Sequence, residues 1–258
     1  TNLTPFYAAL PFRLTGAQQR CIDEILSDFR RGAPMNRLVQ GDVGSGKTMV
    51  AAAAAYLAAG NYKQAALMAP TEILAEQHYQ GLRKLFRPLG LRLALLTGSM
   101  KESEKKKVRA AIAAGEVDLT IGTHALITDS TEFADLGLVI ADEQHRFGVA
   151  QRSKLSEKGA DPHLLVMSAT PIPRTLALIM YGDLDVSILD ELPPGRQSVD
   201  TFLVDESYRP RINAFLRKQV AEGHQCFVVC PAVEETEELG LKAATVWAET
   251  LQQTVFPD

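Results

Sequence analysis

Cysteine, tryptophan, net charge and long apolar runs are all scarce in this chain. Three cysteines and one tryptophan occur among its 258 residues. Cys21, Cys226 and Cys230 include no Cys-x-x-Cys pair, and two thiols four apart are too few ligands for a metal site. That excludes a disulfide scaffold and a cysteine-based metal site, and it predicts buried free thiols in a reducing compartment. No apolar run reaches the ~18 residues that a membrane span requires. Residues 1–9 lack the basic flank and apolar core of a secretion signal. A cytoplasmic protein with no membrane partner is the expectation. The net charge of −4 supplies no global attraction to nucleic acid.

What is present is ordinary in bulk and specific in detail. At 46% hydrophobic and 22% charged, the composition is that of a globular α/β protein. The length fits one large domain, or one domain and a piece of another. Charge is unevenly spread. Arg83, Lys84, Arg87, Arg92, Lys101, Lys105, Lys106, Lys107 and Arg109 are opposed within their stretch only by Glu102 and Glu104. Such a run is more often a solvated helix face than a nucleic-acid contact.

Short apolar runs alternate with helical patterns. Residues 15–31 place Ile22, Ile25, Leu26 and Phe29 on one helical face, with Thr15 and Gln18 at capping-box spacing and Gly32 as a stop. Strands are expected at 37–40, 64–68, 91–96, 117–121, 138–141, 164–167 and, more weakly, 185–189. Helices are expected at 47–59, 72–86, 102–114 and 174–181. This order predicts a mostly parallel sheet covered on both faces. Glu191-Leu192-Pro193-Pro194-Gly195-Arg196 breaks the pattern as a linker. Beyond it, strands at 199–204 and 225–229 alternate with helices at 208–222 and 235–253. Roughly sixty residues are too few for a well-buried independent α/β domain.

Two motifs carry the chemistry. Gly41-Asp42-Val43-Gly44-Ser45-Gly46-Lys47-Thr48 is a complete G-x-x-x-x-G-K-[ST] loop between a strand and a helix. Its glycines let successive amides turn inward onto phosphate, and the helix start adds a positive end. Lys47 is expected to reach the β- and γ-phosphates, and Thr48 to ligate Mg²⁺. Asp142-Glu143 follows the apolar run Leu138–Ala141. That run delivers both acids to the carboxyl edge of the sheet, where ligands bind. Asp142 suits a Mg²⁺ ion and Glu143 the polarisation of an attacking water. Gln18 offers a donor and an acceptor edge to adenine, or completes the cap with Thr15, and the two uses can coexist. Ser168-Ala169-Thr170 ends another strand, where its hydroxyls can bond Gln144 or His145 and sense the γ-phosphate. Pro70-Thr71, Thr97-Gly98 and Gly122-Thr123-His124 each follow a predicted strand. Individually they are strand-to-helix turns, but their recurrence along one edge suits contacts to nucleic-acid phosphates.

Assembled, these residues resemble the superfamily 2 helicases of the DExH-box type, and among them the DNA translocases that remodel branched DNA. The strings behind this are residues 34–48, 69–78, 122–125, 142–149, 168–176 and 191–196. The resemblance implies a RecA-like P-loop NTPase fold, with a truncated start of a second RecA-like domain. Residues 1–190 would form the first motor domain, 191–197 a linker and 198–258 the start of the second. It implies ATP and Mg²⁺ as cofactors, and remodelling of replication forks and Holliday junctions in recombination and repair by a monomeric bacterial parent. It places Phe12 and Gln18 in the adenine-reading motif, and Lys47, Asp142 and Glu143 at the catalytic centre. Gln144, His145, Ser168 and Thr170 would couple the nucleotide to movement. Pro70, Thr71, Thr97, Gly98, Thr123, His124 and Arg146 would face DNA. The family's second motor domain carries a Q-x-x-G-R-x-G-R string with arginine fingers, which these 258 residues lack. The chain is therefore expected to bind nucleotide but turn it over weakly. Other readings are a nucleotide-binding interaction module without a catalytic cycle, a translocase of the transcription-repair coupling type, and an RNA helicase.

Overall fold

The computed structural model describes residues 2–128, 130–142, 161–169, 184–191, 199–230 and 244–256, apart from the side chains of His124 and Ile127. They divide into two compact units, Thr1–Arg196 and Gln197–Asp258. The first unit runs α1 (Thr4–Ala9), α2 (Gly16–Arg30), β1 (Asn36–Gly41), α3 (Lys47–Gly60), β2 (Gln64–Met68), α4 (Glu72–Phe86), β3 (Leu93–Leu96), α5 (Glu102–Ala113), β4 (Leu119–Gly122), β5 (Leu136–Asp142), β6 (His163–Ser168) and β7 (Asp185–Leu189). The seven strands form one sheet in the order β3-β4-β2-β5-β6-β1-β7. Every pairing is parallel, as the alternation of strand and helix requires.

Both faces are covered, so the strands carry apolar side chains on both sides. Val39, Leu67, Ile140 and Met167 face a core shared with Phe6 of α1, Ile22 of α2, Val50 of α3 and Leu82 of α4. Their neighbours Leu38, Met68, Val139 and Val166 face the other way, onto Ile112 of α5 and Leu126. The alanine run of α3 lies buried within the first core, small side chains letting the helix sit close on the sheet. Helix α2 begins as its sequence dictates. The Thr15 hydroxyl accepts from the Gln18 amide at 3.2 Å, and the Gln18 side-chain oxygen accepts from the Thr15 amide at 2.9 Å.

An ion cluster joins α2 to the sheet. Arg37 on β1 is buried and donates to Asp28 at 2.7 Å and Glu24 at 2.9 Å, with Ser187 of β7 also in reach at 2.8 Å. Burial alone would lower the guanidinium pKa, but the Asp28 hydrogen bond and charge outweigh it and raise it.

The second unit contains α6 (Arg209–Ala221) and α7 (Ala244–Thr254). Arg217 donates to the carbonyl oxygens of Thr254 and Val255, each at 2.7 Å, and Arg209 lies over the Trp247 ring at 4.1 Å.

Several expectations need correction. The segments 199–204 and 225–229 are not strands. Among the described residues neither has a ladder partner, and Phe202, Leu203, Phe227 and Val229 are exposed. An apolar run forms a strand only where another strand accepts its hydrogen bonds. For the same reason Cys226 is exposed and Cys230 only partly covered, and of the three expected buried thiols only Cys21 is buried. Strand β3 starts at Leu93 rather than 91, because Leu91 bonds back to Phe86 and Arg92 is engaged by Asp118 at 2.7 Å. The expected helix at 174–181, and most of the linker, lie outside the described residues. No described helix is long and apolar enough to cross a membrane.

Candidate functional site

The carboxyl ends of six strands bring most of the described candidate residues to one edge of the sheet. In the register, Gln40 of β1 lies beside Ser168 of β6, and Met167 beside Asp142 of β5. The phosphate-loop strand and the acid-bearing strand are therefore separated by one strand, whose last residue is Ser168. On the other side of β5, Met68 of β2 aligns with Ala141, Gly122 of β4 with Met68, and Leu96 of β3 with Gly122. The turns that follow β2, β3 and β4 hold Pro70, Thr71, Thr97, Gly98 and Thr123. One half of the edge thus carries the nucleotide candidates and the other half the nucleic-acid candidates, with Asp142 at the border.

The loop between β1 and α3 has a phosphate-binding shape. Gly44 and Gly46 adopt left-handed φ of 80° and 85°, and the Ser45 amide donates to Asp42 oxygen at 3.0 Å. Gly46 is required twice over, since a Cβ there would also lie 1.9 Å from Gln18 Nε2. Lys47 is buried at the first position of α3, and its Nζ donates to the carbonyl oxygens of Gly41 at 2.5 Å and Asp42 at 3.0 Å. Asp42, Val43 and Gly44 are exposed, while Thr48 is partly covered. Ser45 Oγ is buried without a hydrogen-bond partner among the described residues. A left-handed glycine pair, a lysine, an unsatisfied hydroxyl and a helix start together fit an anionic polyphosphate.

Gln18 is closed within the protein. It caps α2 and its Nε2 donates to Ser45 oxygen at 3.0 Å. The capping use is realised, and the same amide braces the phosphate loop. Phe12, just before α2, is 48% exposed.

Asp142 is largely buried, and its Oδ2 lies 2.5 Å from His78 Nε2 on α4. The sequence reading does not single out His78. A signal existed: Thr71, Ala75, His78 and Leu82 share one face of α4, so His78 is a polar residue in the core stripe. Glu72 was also missed. Its carboxylate accepts from the Ser99 amide at 2.9 Å and ties the turn after β3 to the start of α4. The Ser99 hydroxyl and amide hold its pKa below the usual carboxylate range.

On the nucleic-acid half, Thr71 caps α4 by accepting from the Leu74 amide at 3.3 Å. Thr71 and Gly98 are exposed, while Pro70 and Thr123 are partly covered. Thr97 is buried, so its side chain is withdrawn from any ligand and Gly98 with Ser99 forms the open part of that turn. Gly122 must lack a side chain, because a Cβ would meet Leu96 oxygen at 2.1 Å. On α5, Lys105 and Arg109 both pair with Glu102, at 3.6 and 3.1 Å, and Lys106 and Lys107 face solvent. Glu143, Gln144, His145, Arg146 and Thr170 lie outside the described residues, as does the side chain of His124. Among the described residues no group of three or more His, Cys, Asp or Glu could hold a metal by itself. Mg²⁺ needs no such cage, since one or two protein ligands suffice when phosphates complete its shell. Asp142 and Thr48 are of that type.

Comparison with known proteins gives a consistent picture. Residues 15–179 match the DEAD/DEAH box helicase family, whose members bind a nucleotide with a divalent metal. The chain is 53% identical over 256 residues to the ATP-dependent DNA helicase RecG of Synechocystis sp., covering 99% of this chain and 31% of that protein. It is 52% identical over 250 residues to the ATP-dependent DNA helicase RecG of Streptococcus pneumoniae, covering 97% and 37%. The chain thus spans about a third of the length of these relatives. Among solved structures, RecG bound to a three-way DNA junction superposes with a TM-score of 0.79 at 45% identity, over 98% of this chain and 33% of that one. The helicase MrfA superposes at 0.68 with 17% identity, over 97% and 40%, a likeness of fold alone.

Proposed function

The chain belongs to the DEAD/DEAH box helicase family, and on that premise we propose that it is the first motor domain, with the opening of the second, of an ATP-dependent DNA helicase that remodels branched DNA in the bacterial cytoplasm. The observation that carries this reading is the shared sheet edge, where the phosphate loop on β1, Ser168 on β6 and Asp142 on β5 stand beside the turns after β2, β3 and β4. The high identity to RecG proteins supports branched DNA as the track.

Lys47, now bonded to the loop carbonyls, would pair with the β- and γ-phosphates of ATP, and the amides of residues 44–48 would bind the same group. Thr48 and Asp142 would hold Mg²⁺, which would supply neutralisation of phosphate charge. Glu143, next in sequence to Asp142, polarises the attacking water. Ser168, between the two halves of the nucleotide site, passes the state of the γ-phosphate to Thr170, Gln144 and His145. The α4 start at Pro70-Thr71 and the turns at Gly98 and Thr123 grip DNA phosphates through amides and hydroxyls, so they position without reading sequence, and His124 and Arg146 are assigned to the same task from the sequence alone. Phe12, half exposed just before α2, flanks the adenine, and Gln18 acts on the nucleotide only through the loop it braces.

The test is direct. ATP with Mg²⁺ should bind, and Lys47→Ala should weaken it about 10–100-fold by removing a charge-assisted hydrogen bond. A three-way DNA junction should compete better for the protein than linear duplex or RNA of equal length. Preference for RNA, or nucleotide binding indifferent to Lys47→Ala, overturns the reading.

A further inference from the structure

The nucleotide and nucleic-acid halves of the edge meet at Asp142, and one side chain reaches it from the helix that begins in the nucleic-acid half. We propose that His78 is a positioning residue for Asp142, holding the metal-binding carboxylate in place from α4. The inference rests on the reading of Asp142 as a metal ligand. His78 Nε2 lies 2.5 Å from Asp142 Oδ2, with the two side chains only 14% and 13% exposed. The carboxylate oxygen can only accept, so Nε2 carries the hydrogen and donates it. Oδ2 is thereby committed to His78, and Oδ1 is the oxygen left to face a metal or its water. A carboxylate at a strand end has free rotation about its last bonds. A buried donor on one oxygen removes that freedom before the metal arrives.

The placement on α4 gives this contact a second consequence. Thr71, the cap of α4, and His78 lie seven residues apart on one helical face. Glu72, in the same first turn, accepts from the Ser99 amide at 2.9 Å. A single rigid helix therefore touches two of the turns expected to face DNA at one end, and the metal-binding acid two turns further along. Displacing α4 along its axis by contact with DNA moves the donor that fixes Asp142.

The experiment measures ADP affinity of the intact protein with and without Mg²⁺, using a fluorescent ADP, so that no turnover is needed. The readout is the ratio of the two affinities. His78→Ala and His78→Phe should shrink that ratio about 10–100-fold while leaving metal-free ADP affinity unchanged, as loss of an outer-shell partner does elsewhere. His78→Gln, whose amide reaches as far as Nε2 and can donate, should retain most of it. Mn²⁺ bound with ADP, read by electron paramagnetic resonance, should follow the same order. Asp142→Asn separates the two readings. If it leaves the ratio intact, the metal assignment fails and the inference with it. If Asp142→Asn abolishes the ratio but His78→Ala and His78→Phe keep it, the inference alone is overturned. Should His78→Ala also lose metal-free ADP binding, His78→Gln decides. A retained ratio supports the inference, and a lost ratio with metal-free binding intact overturns it.

Discussion

Gln18 Nε2 donates to the carbonyl oxygen of Ser45 at 3.0 Å, so the residue that caps α2 also braces the phosphate loop 27 positions later. Its other amide edge accepts from the Thr15 amide at 2.9 Å. The two jobs can be separated. Gln18→Glu keeps the acceptor, loses the donor and sets a negative charge against the loop. It should weaken ATP binding about tenfold or more, the cost of a buried carbonyl left unpaired being about 1–3 kcal/mol. Thr15→Ala removes only the hydroxyl half of the cap and should cost about 1 kcal/mol of stability with ATP affinity unchanged. Nucleotide titration and urea melts of both variants check this.

Gly46 tests the same contact from the other side. Its φ of 85° and the 1.9 Å separation between an added Cβ and Gln18 Nε2 make alanine doubly costly. Gly46→Ala should abolish measurable nucleotide binding while circular dichroism keeps the signature of the intact sheet. Adding Gln18→Ala relieves the clash but not the backbone strain, so the double variant should stay defective. Recovery of wild-type affinity in the double variant would show that the left-handed backbone is dispensable.

Arg37 and Asp28, 2.7 Å apart with side chains 6% and 2% exposed, form a buried pair. Removing Arg37 leaves Asp28 with only Arg31, 3.1 Å away and more than half exposed. Arg37→Met should therefore cost about 3 kcal/mol in urea unfolding, the lower end for a broken buried pair, since Asp28 keeps one solvent-screened partner. The companion variant Arg37→Met/Asp28→Leu should recover much of that loss, because the exposed partners Glu24 and Asp185 can turn to solvent. Equal destabilisation in the single and double variants would assign the cost to packing instead of charge.

Much of this architecture is written locally in the chain. The capping box at Thr15 and Gln18, the glycine-rich loop and, within residues 36–142, the apolar runs with helices between them are patterns within a few residues, and each folds as it reads. Long-range relationships are not written that way. The order of the strands places β2 beside β5 and β6 beside β1, and only that order makes Asp142, Ser168 and Gly41 neighbours. The His78–Asp142 contact spans 64 positions and becomes visible only once α4 is laid on the sheet face below Asp142. Thr97 looked open because it follows a strand, yet it is tucked inward and leaves Gly98 at the surface. The runs at 199–204 and 225–229 misled for a related reason. Apolar sequence advertises a strand, but pairing is a property of two segments, and among the described residues the second segment is missing.

The cysteines give a final, pH-dependent test. Cys21 lies in the core, and burial first of all pushes its pKa from the ordinary 9.0 to about 11, with the Ser187 hydrogen bond pulling back and the Glu24 charge adding to the rise. Cys226 is exposed. At pH 8 a thiol reagent should therefore modify Cys226 first, Cys230 more slowly, and Cys21 only on unfolding, since the thiolate is the nucleophile and Cys21 has almost none. The same shift fixes a direction for stability. The folded state holds the neutral thiol more tightly than the unfolded chain does, so the contribution of Cys21 is complete below pH 9.0 and is lost as pH rises through about 11. The loss is on the order of 3 kcal/mol at most. Cys21→Ala removes the titrating group, so the stability difference between wild type and variant should shift in favour of the variant across that window and stay flat below it. A difference independent of pH from 7 to 11, or rapid labelling of Cys21 in the folded protein, would contradict the buried thiol on the core face of α2.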